Sequence, residues 1–351
     1  MSLKHRRKSQ IRWKLWLSIF IAILVGYFVI YPTFFCSECN QNRTKSEVQS
    51  YSFEKILDYY GFTTPEQKNA LKDLFVISSL MNENDSWEKI FPSYQRSANV
   101  FNFVTNTQLK FSNRFGKERW EVDAQPWMTD NCEKIIKDLE VLGFFSEMNR
   151  CTKNFDAICI LGSNTPSMFL RLEFISEFLQ RQWIKAPTVI LLTGERVITE
   201  NIDGLKEDLQ EIAKYFKLDD WKQLTEAKVF DYLYENSPLK NMGLNVVIIN
   251  TPKGELSRPT TKTEIAELKK WLRANRNVEK IMFVSNQPYL LYQKAIIQNE
   301  LYLEGKEFQN IKIEMIGPSV PDFMLGHIQM LIEGLGAYIW AASPLVLKKI
   351  I

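Results

Sequence analysis

Residues 155–179 read FDAICILGSNTPSMFLRLEFISEFL: an unbroken apolar run stops at Gly162-Ser163-Asn164, and an amphipathic segment carrying Arg171 follows. A strand buried on both faces reads as a continuous apolar run rather than an alternating one. The segment after the turn has the period of a helix. The same texture recurs downstream at AICIL (157–161), TVILLT (188–193), NVVIIN (245–250), KIMFVS (280–285) and IKIEMI (311–316). Helical patterns such as MFLRLEFISEFLQRQ (168–182) and TEIAELKKWLRAN (263–275) lie between them. Strands alternating with helices predict an α/β fold, a doubly wound, mostly parallel Rossmann-like sheet of about five strands. Ligands of that architecture bind at the carboxyl ends of the strands. The informative residues are then those just after each run: Gly162-Ser163-Asn164, Gly194-Glu195-Arg196, Thr251 and Ser285-Asn286-Gln287.

A glycine at such a turn lets backbone N–H groups approach an anion, and a helix N-terminus favours negative charge. The same glycine also serves a plain strand-to-helix corner. Neither G-x-G-x-x-G nor a Walker pattern occurs, so the two common nucleotide fingerprints are missing. The chain has two histidines, His5 and His327. That rules out histidine-rich metal ligation and leaves a Ser/His/Asp triad with a single candidate imidazole. What remains is an acidic, hydroxyl and amide site with Arg171 and Arg196 as cations. Glu226 and Glu264 are the candidate catalytic carboxylates, to act as base or to hold a divalent cation, with Arg171 neutralising a phosphate. Structural readings stand beside these. Thr261 and Glu264 have capping-box spacing, and Glu226 begins a helix, where acids are favoured by the dipole. Gly194 suits a turn, and Pro288 suits a helix entry that leaves Asn286 and Gln287 for polar contacts.

The N-terminal part is different material. Residues 15–37, LWLSIFIAILVGYFVIYPTFFCS, contain no charge and are long enough to cross a bilayer as a helix. The basic residues of 1–14, MSLKHRRKSQIRWK, predict a cytoplasmic N-terminus with the bulk of the chain on the other side. No A-x-A pattern closes the span, so it reads as a retained signal anchor. The six basic residues ahead of it account for the net charge of +3, and the remainder is slightly acidic, which argues against nucleic acid as a partner. The expected organisation is a tail (1–14), an anchor (15–37), a linker (38–52), a mainly helical subdomain (53–150) and the Rossmann-like domain (151–351). The apolar end, FMLGHIQMLIEGLGAYIWAASPLVLKKII, reads as a buried helix plus tail because His327, Glu333 and Pro344 interrupt it. Of the five cysteines, Cys36 and Cys39 at the membrane exit are open to a disulfide, and Cys159 reads as inert packing.

In order along the chain, DAICILG, RLEFISEFL, LLTGE, TEAKVFDYL, TKTE and FVSNQPYLLYQKAI resemble the motifs of the SanA/YdcF-like family. That family comprises bacterial proteins, many anchored in the inner membrane with a periplasmic Rossmann-like domain. The resemblance covers roughly residues 156–317 and carries over Asp156, Gly162, Arg171, Gly194, Glu226, Thr263 and Glu264. It implies a role in cell-envelope biogenesis and a pocket for a phosphorylated, nucleotide-like or lipid- or sugar-linked anion. Hydrolase or transferase chemistry would follow, or a scaffold that binds without turnover. This chain departs from the family pattern at Glu195 (glycine in the family), Ile265 (asparagine), Leu290 (histidine) and Gln293 (arginine).

Overall fold

The computed structural model describes residues 52–350, apart from 93–95, 115–116, 149–152, 257 and 304–305. The basic tail, the anchor and Cys36, Cys39 and Cys151 lie outside the described residues. From Ser52 onward the chain forms one unit. It opens with α1 (Phe53–Tyr59), α2 (Pro65–Ile77), α3 (Trp87–Ile90) and α4 (Arg96–Thr107), which runs on as a π-helical turn, Gln108–Ser112. Two further helices follow, α5 (Pro126–Asp130) and α6 (Cys132–Val141).

Local chemistry sets these ends. Thr64 Oγ1 accepts from Gln67 N at 3.2 Å, Gln67 Oε1 accepts from Thr64 N at 3.3 Å, and Pro65 takes the first helical position. That is the reciprocal capping box. The segment TDNCEKIIKDLEV (129–141) is built differently. Thr129 lies inside α5 and its hydroxyl donates to the Pro126 carbonyl at 2.9 Å, while α6 starts after Asn131 with no side-chain cap. Phe53, Phe75, Phe91 and Phe103 are buried face to face and edge to face, Phe53 and Phe91 with centroids 4.2 Å apart.

The sheet comprises β1 (Ala157–Leu161), then α7 (Thr165–Gln180), β2 (Thr188–Gly194), α8 (Lys206–Tyr215), α9 (Glu226–Glu235) and β3 (Asn245–Thr251). It continues through α10 (Thr261–Ala274), β4 (Lys280–Val284), α11 (Leu290–Gln298) and β5 (Lys312–Ile316). All five apolar runs are strands, every pairing is parallel, and the order is β3-β2-β1-β4-β5. The strand order therefore reverses between β1 and β4. Along β1, Ile158 and Ile160 face a core shared with α7, α8 and α9, whereas Ala157, Cys159 and Leu161 face α10 and α11. This two-sided burial is why the runs of β1, β2 and β4 carry no polar alternation, whereas the edge strands β3 and β5 are partly exposed.

Two helices close the fold, α12 (Asp322–Leu325) and α13 (Ile328–Ile350). The latter is long and apolar enough to cross a membrane, yet 61% of its apolar window is buried within the protein. Pro344 does not end it. A proline cannot donate to the carbonyl four residues back; here that carbonyl belongs to Trp340, and Ser343 Oγ donates to it at 2.8 Å. α13 also joins the helical part to the sheet part. Its Gly336 carbonyl accepts from Gln108 Nε2 at 2.7 Å and its Ala341 carbonyl from Asn299 Nδ2 at 2.7 Å.

Candidate functional site

At the reversal point the ends of β1 and β4 are tied together by Arg171, which is 1% exposed. Its Nη1 donates to the carbonyls of Leu161 at 2.7 Å and Gly162 at 2.9 Å, and its Nε reaches Asn286 Oδ1 at 3.0 Å. Among the described residues no carboxylate pairs with it. Burial therefore pulls its pKa down, to about 10, against the opposing influence of Glu226 and Glu264. Asn286 uses its other amide atom on the Gln287 carbonyl at 2.8 Å. Gln287 turns away from the strand ends, its Nε2 donating to the Gly143 and Ser146 carbonyls at 2.9 and 3.0 Å. The Ser285 hydroxyl donates to Gln293 Oε1.

Glu226 and Glu264 come from helices on opposite faces of the sheet, and Glu264 lies within reach of the charge on Glu226. Thr225 caps α9, which leaves Glu226 in the first turn; its Oε1 accepts from Thr193 Oγ1 at 3.0 Å and its Oε2 from Arg196 Nε at 2.8 Å. Arg196 in turn grips Asp203 through two nitrogens, at 2.8 and 2.7 Å, and the Ser163 carbonyl at 3.0 Å. Asp203 also accepts from Thr199 N at 2.8 Å and Thr165 N at 3.1 Å.

Glu264 is different. Thr260, not Thr261, is the N-cap of α10, and its capping-box partner is Thr263. Glu264 is thereby excused from capping. It is 7% exposed, and among the described residues its carboxyl has neither a hydrogen-bond partner nor an ion pair. Burial first, and the charge of Glu226 second, push its pKa well above the ordinary range, while Arg171, Arg258 and Arg196 pull the other way.

The remaining residues named from the sequence have local tasks. Asn164 caps α7, its Oδ1 accepting from Ser167 N at 3.1 Å. Glu195 is exposed and accepts from Lys253 N at 3.2 Å. At Gly194 a side chain would meet Pro259 Cγ at 2.5 Å. Asp156 Oδ2 accepts from Glu279 N and Lys280 N, both at 2.8 Å, tying the start of β1 to that of β4. Leu290, at the family histidine position, is buried. Among the described residues no three His, Cys, Asp or Glu side chains are grouped to hold a metal ion. Both Glu226 oxygens face Thr193 and Arg196, where a cation bound by the pair would have to compete with a guanidinium.

Sequence reasoning did not single out Asp203, Thr193 or Arg258. Arg258 stands just ahead of Pro259, the residue that packs on Gly194 at the end of β2, and its charge reaches Glu264. No protein-family model matches the chain, and no curated protein sequence matches it.

Proposed function

We propose that the protein is a membrane-anchored, periplasmic envelope-biogenesis protein of the SanA/YdcF-like type with a Rossmann-like domain. Its crevice at the strand carboxyl ends binds an anionic, phosphorylated or nucleotide-like ligand. The observation that carries this reading is Glu264. The Glu264 side chain is almost wholly buried, carries no hydrogen bond among the described residues, and lies in the field of Glu226, Arg171, Arg196 and Arg258, which suits a proton-holding role in a ligand site. Glu264 is the acid–base residue of this reading. Glu226, fixed by Thr193 and Arg196, positions the crevice wall. Hydrolase or transferase chemistry would draw its proton from Glu264.

A scaffold role is the second reading. It is favoured by the way Arg171 and Asn286 spend their polar groups on each other and on the backbone rather than on open space.

The test is mass spectrometry of molecules that co-purify with the full-length chain in detergent, with thermal shift by inorganic pyrophosphate and a nucleoside diphosphate sugar. A phosphate-bearing molecule and a raised melting temperature are expected. Neutral lipid alone, with no shift from either anion, would overturn the ligand class. A reporter fused after Ile351 should be active only if it works outside the cytoplasm, and activity of a cytoplasm-only reporter would overturn the orientation.

A further inference from the structure

Three arginines that the sequence motifs do not mark converge beside the same strand ends. Arg258 Nη2 lies 3.0 Å from Glu118 Oε2, and Arg114 Nη2 lies 3.6 Å from that same oxygen. Arg114 Nη1 is 3.5 Å from Glu333 Oε1, and Arg119 Nε is 3.5 Å from Glu333 Oε2. The result is a ladder in which three cations share two carboxylates, so one positive charge is left over. Both Glu118 Oε2 and Glu333 Oε2 are buried and lack a well-directed hydrogen bond, so the pairing does not use up the guanidinium donors. The arginine side chains are 32% (Arg258), 29% (Arg114) and 19% (Arg119) exposed.

The ladder spans the strand ends. Arg258 is held at the β2 end through Pro259 and Gly194. At the β4 end the Arg119 guanidinium lies 3.9 Å from the ring centroid of Tyr289. Burial is the largest cause disfavouring the charged form of Arg258; Glu118 opposes it, and Arg119, Arg114 and Arg196 add smaller repulsions. Such an arrangement is relieved by a multiply charged oxyanion, which several planar forks can hold at once.

We infer that Arg114, Arg119 and Arg258 form the phosphate-binding part of the crevice, taking a phosphate monoester or diphosphate with more than one negative charge. This rests on the reading that the strand ends are the ligand site, and it adds which residues hold the anion. The anion displaces Glu118 from Arg258 and Arg114, while Arg119 keeps its place on Tyr289. Seated on Arg258, the phosphate lies on the side of the crevice that Glu264 faces.

The test is calorimetric titration of inorganic pyrophosphate into the full-length chain in detergent at low and high salt. Arg258→Ala and Arg114→Ala should each weaken binding tenfold or more and flatten its salt dependence, since each removes a phosphate contact. Arg258→Lys keeps the charge but loses the fork and should fall in between. Arg276→Ala, at an exposed site on another face, should change nothing. Thermal melts of each variant confirm folding. Pyrophosphate affinity unchanged in folded Arg258→Ala and Arg114→Ala, but altered in Glu264→Gln, would overturn the arginine site and leave the strand-end reading standing. No pyrophosphate binding by the wild-type protein at low salt would overturn both. Binding lost in the arginine variants but indifferent to Glu264→Gln would support the arginine site while removing Glu264 from the reading.

Discussion

A methyl group on Gly162 would stand 2.1 Å from Oε1 of Glu226 and 3.1 Å from the Leu192 carbonyl oxygen. The glycine therefore admits a carboxylate of the protein itself to the end of β1. Gly162 is a seat for Glu226, and the space left by its missing side chain is already taken by that carboxylate.

Gly162→Ala should destabilise the protein by about 1–3 kcal/mol, the range for overpacking a tight site. If Glu226 is the obstacle, Glu226→Ala in the same chain should restore part of the loss. A double-mutant cycle by urea denaturation should then give a coupling of about 0.5–3 kcal/mol. Strict additivity would mean that the two residues do not press on each other.

Arg171, which the sequence offered as a ligand-facing cation, is a structural tie, and Arg171→Ala is a severe substitution. Truncation would strip two backbone carbonyls and the Asn286 amide oxygen of their donor inside a site that is 1% exposed. Each orphaned group costs about 1–3 kcal/mol, so a loss of at least about 3 kcal/mol is expected. Arg171→Lys should rescue little, because an ammonium cannot span both strand ends. A wild-type urea midpoint in Arg171→Ala would sink this account.

Glu264 makes stability depend on pH with a definite sign. Its proton affinity is higher folded than unfolded, so the folded chain binds more protons above the ordinary value of 4.5. Its contribution is greatest below that value and is lost as pH rises through the folded pKa. Glu264→Gln removes the proton and should flatten this decline. Within the window, the slopes of wild type and variant should differ by up to about 1.4 kcal/mol per pH unit, the linkage limit for one proton. Parallel curves from pH 4 to 9 would show that Glu264 is not held protonated. The groups facing it, Glu226, Arg171, Arg196 and Arg258, are unchanged in both proteins.

The central strands β1, β2 and β4 were legible because a parallel strand covered on both faces leaves an uninterrupted apolar run, while the edge strands β3 and β5 were legible from their β-branched residues despite partial exposure. The Thr64-Pro65-Gln67 start of α2 is a local signal, made within four residues. The site was legible only in outline. Glu226 and Glu264 are brought together, but the partners that define them come from far away or from material that looks like surface. Arg171 and Asn286 are 115 residues apart. Asp203 sits in a charged insertion after Thr199 and is 1% exposed. The start of α10 was misjudged for a local reason. Thr260 and Thr261 are adjacent and each offers a capping hydroxyl, and only the fold decides that Thr260 takes the role. One position rotates a helix face by about 100°, since 3.6 residues make a turn, so that choice determines where Glu264 points. Pro344 misled for the opposite reason, because a neighbouring serine repairs the gap that the proline makes.

The bond between Gln108 and the Gly336 carbonyl joins residues 228 positions apart, and Tyr338 likewise reaches back to Tyr60. On a ribosome adding ~5–20 residues per second, roughly 10–50 s separate the two partners. For that interval the buried rings of Phe53, Phe75, Phe91 and Phe103 belong to a half-built compartment, because the helix that packs on α4 and α6 has not been made. The nascent chain thus exposes its greasiest surface early and covers it late.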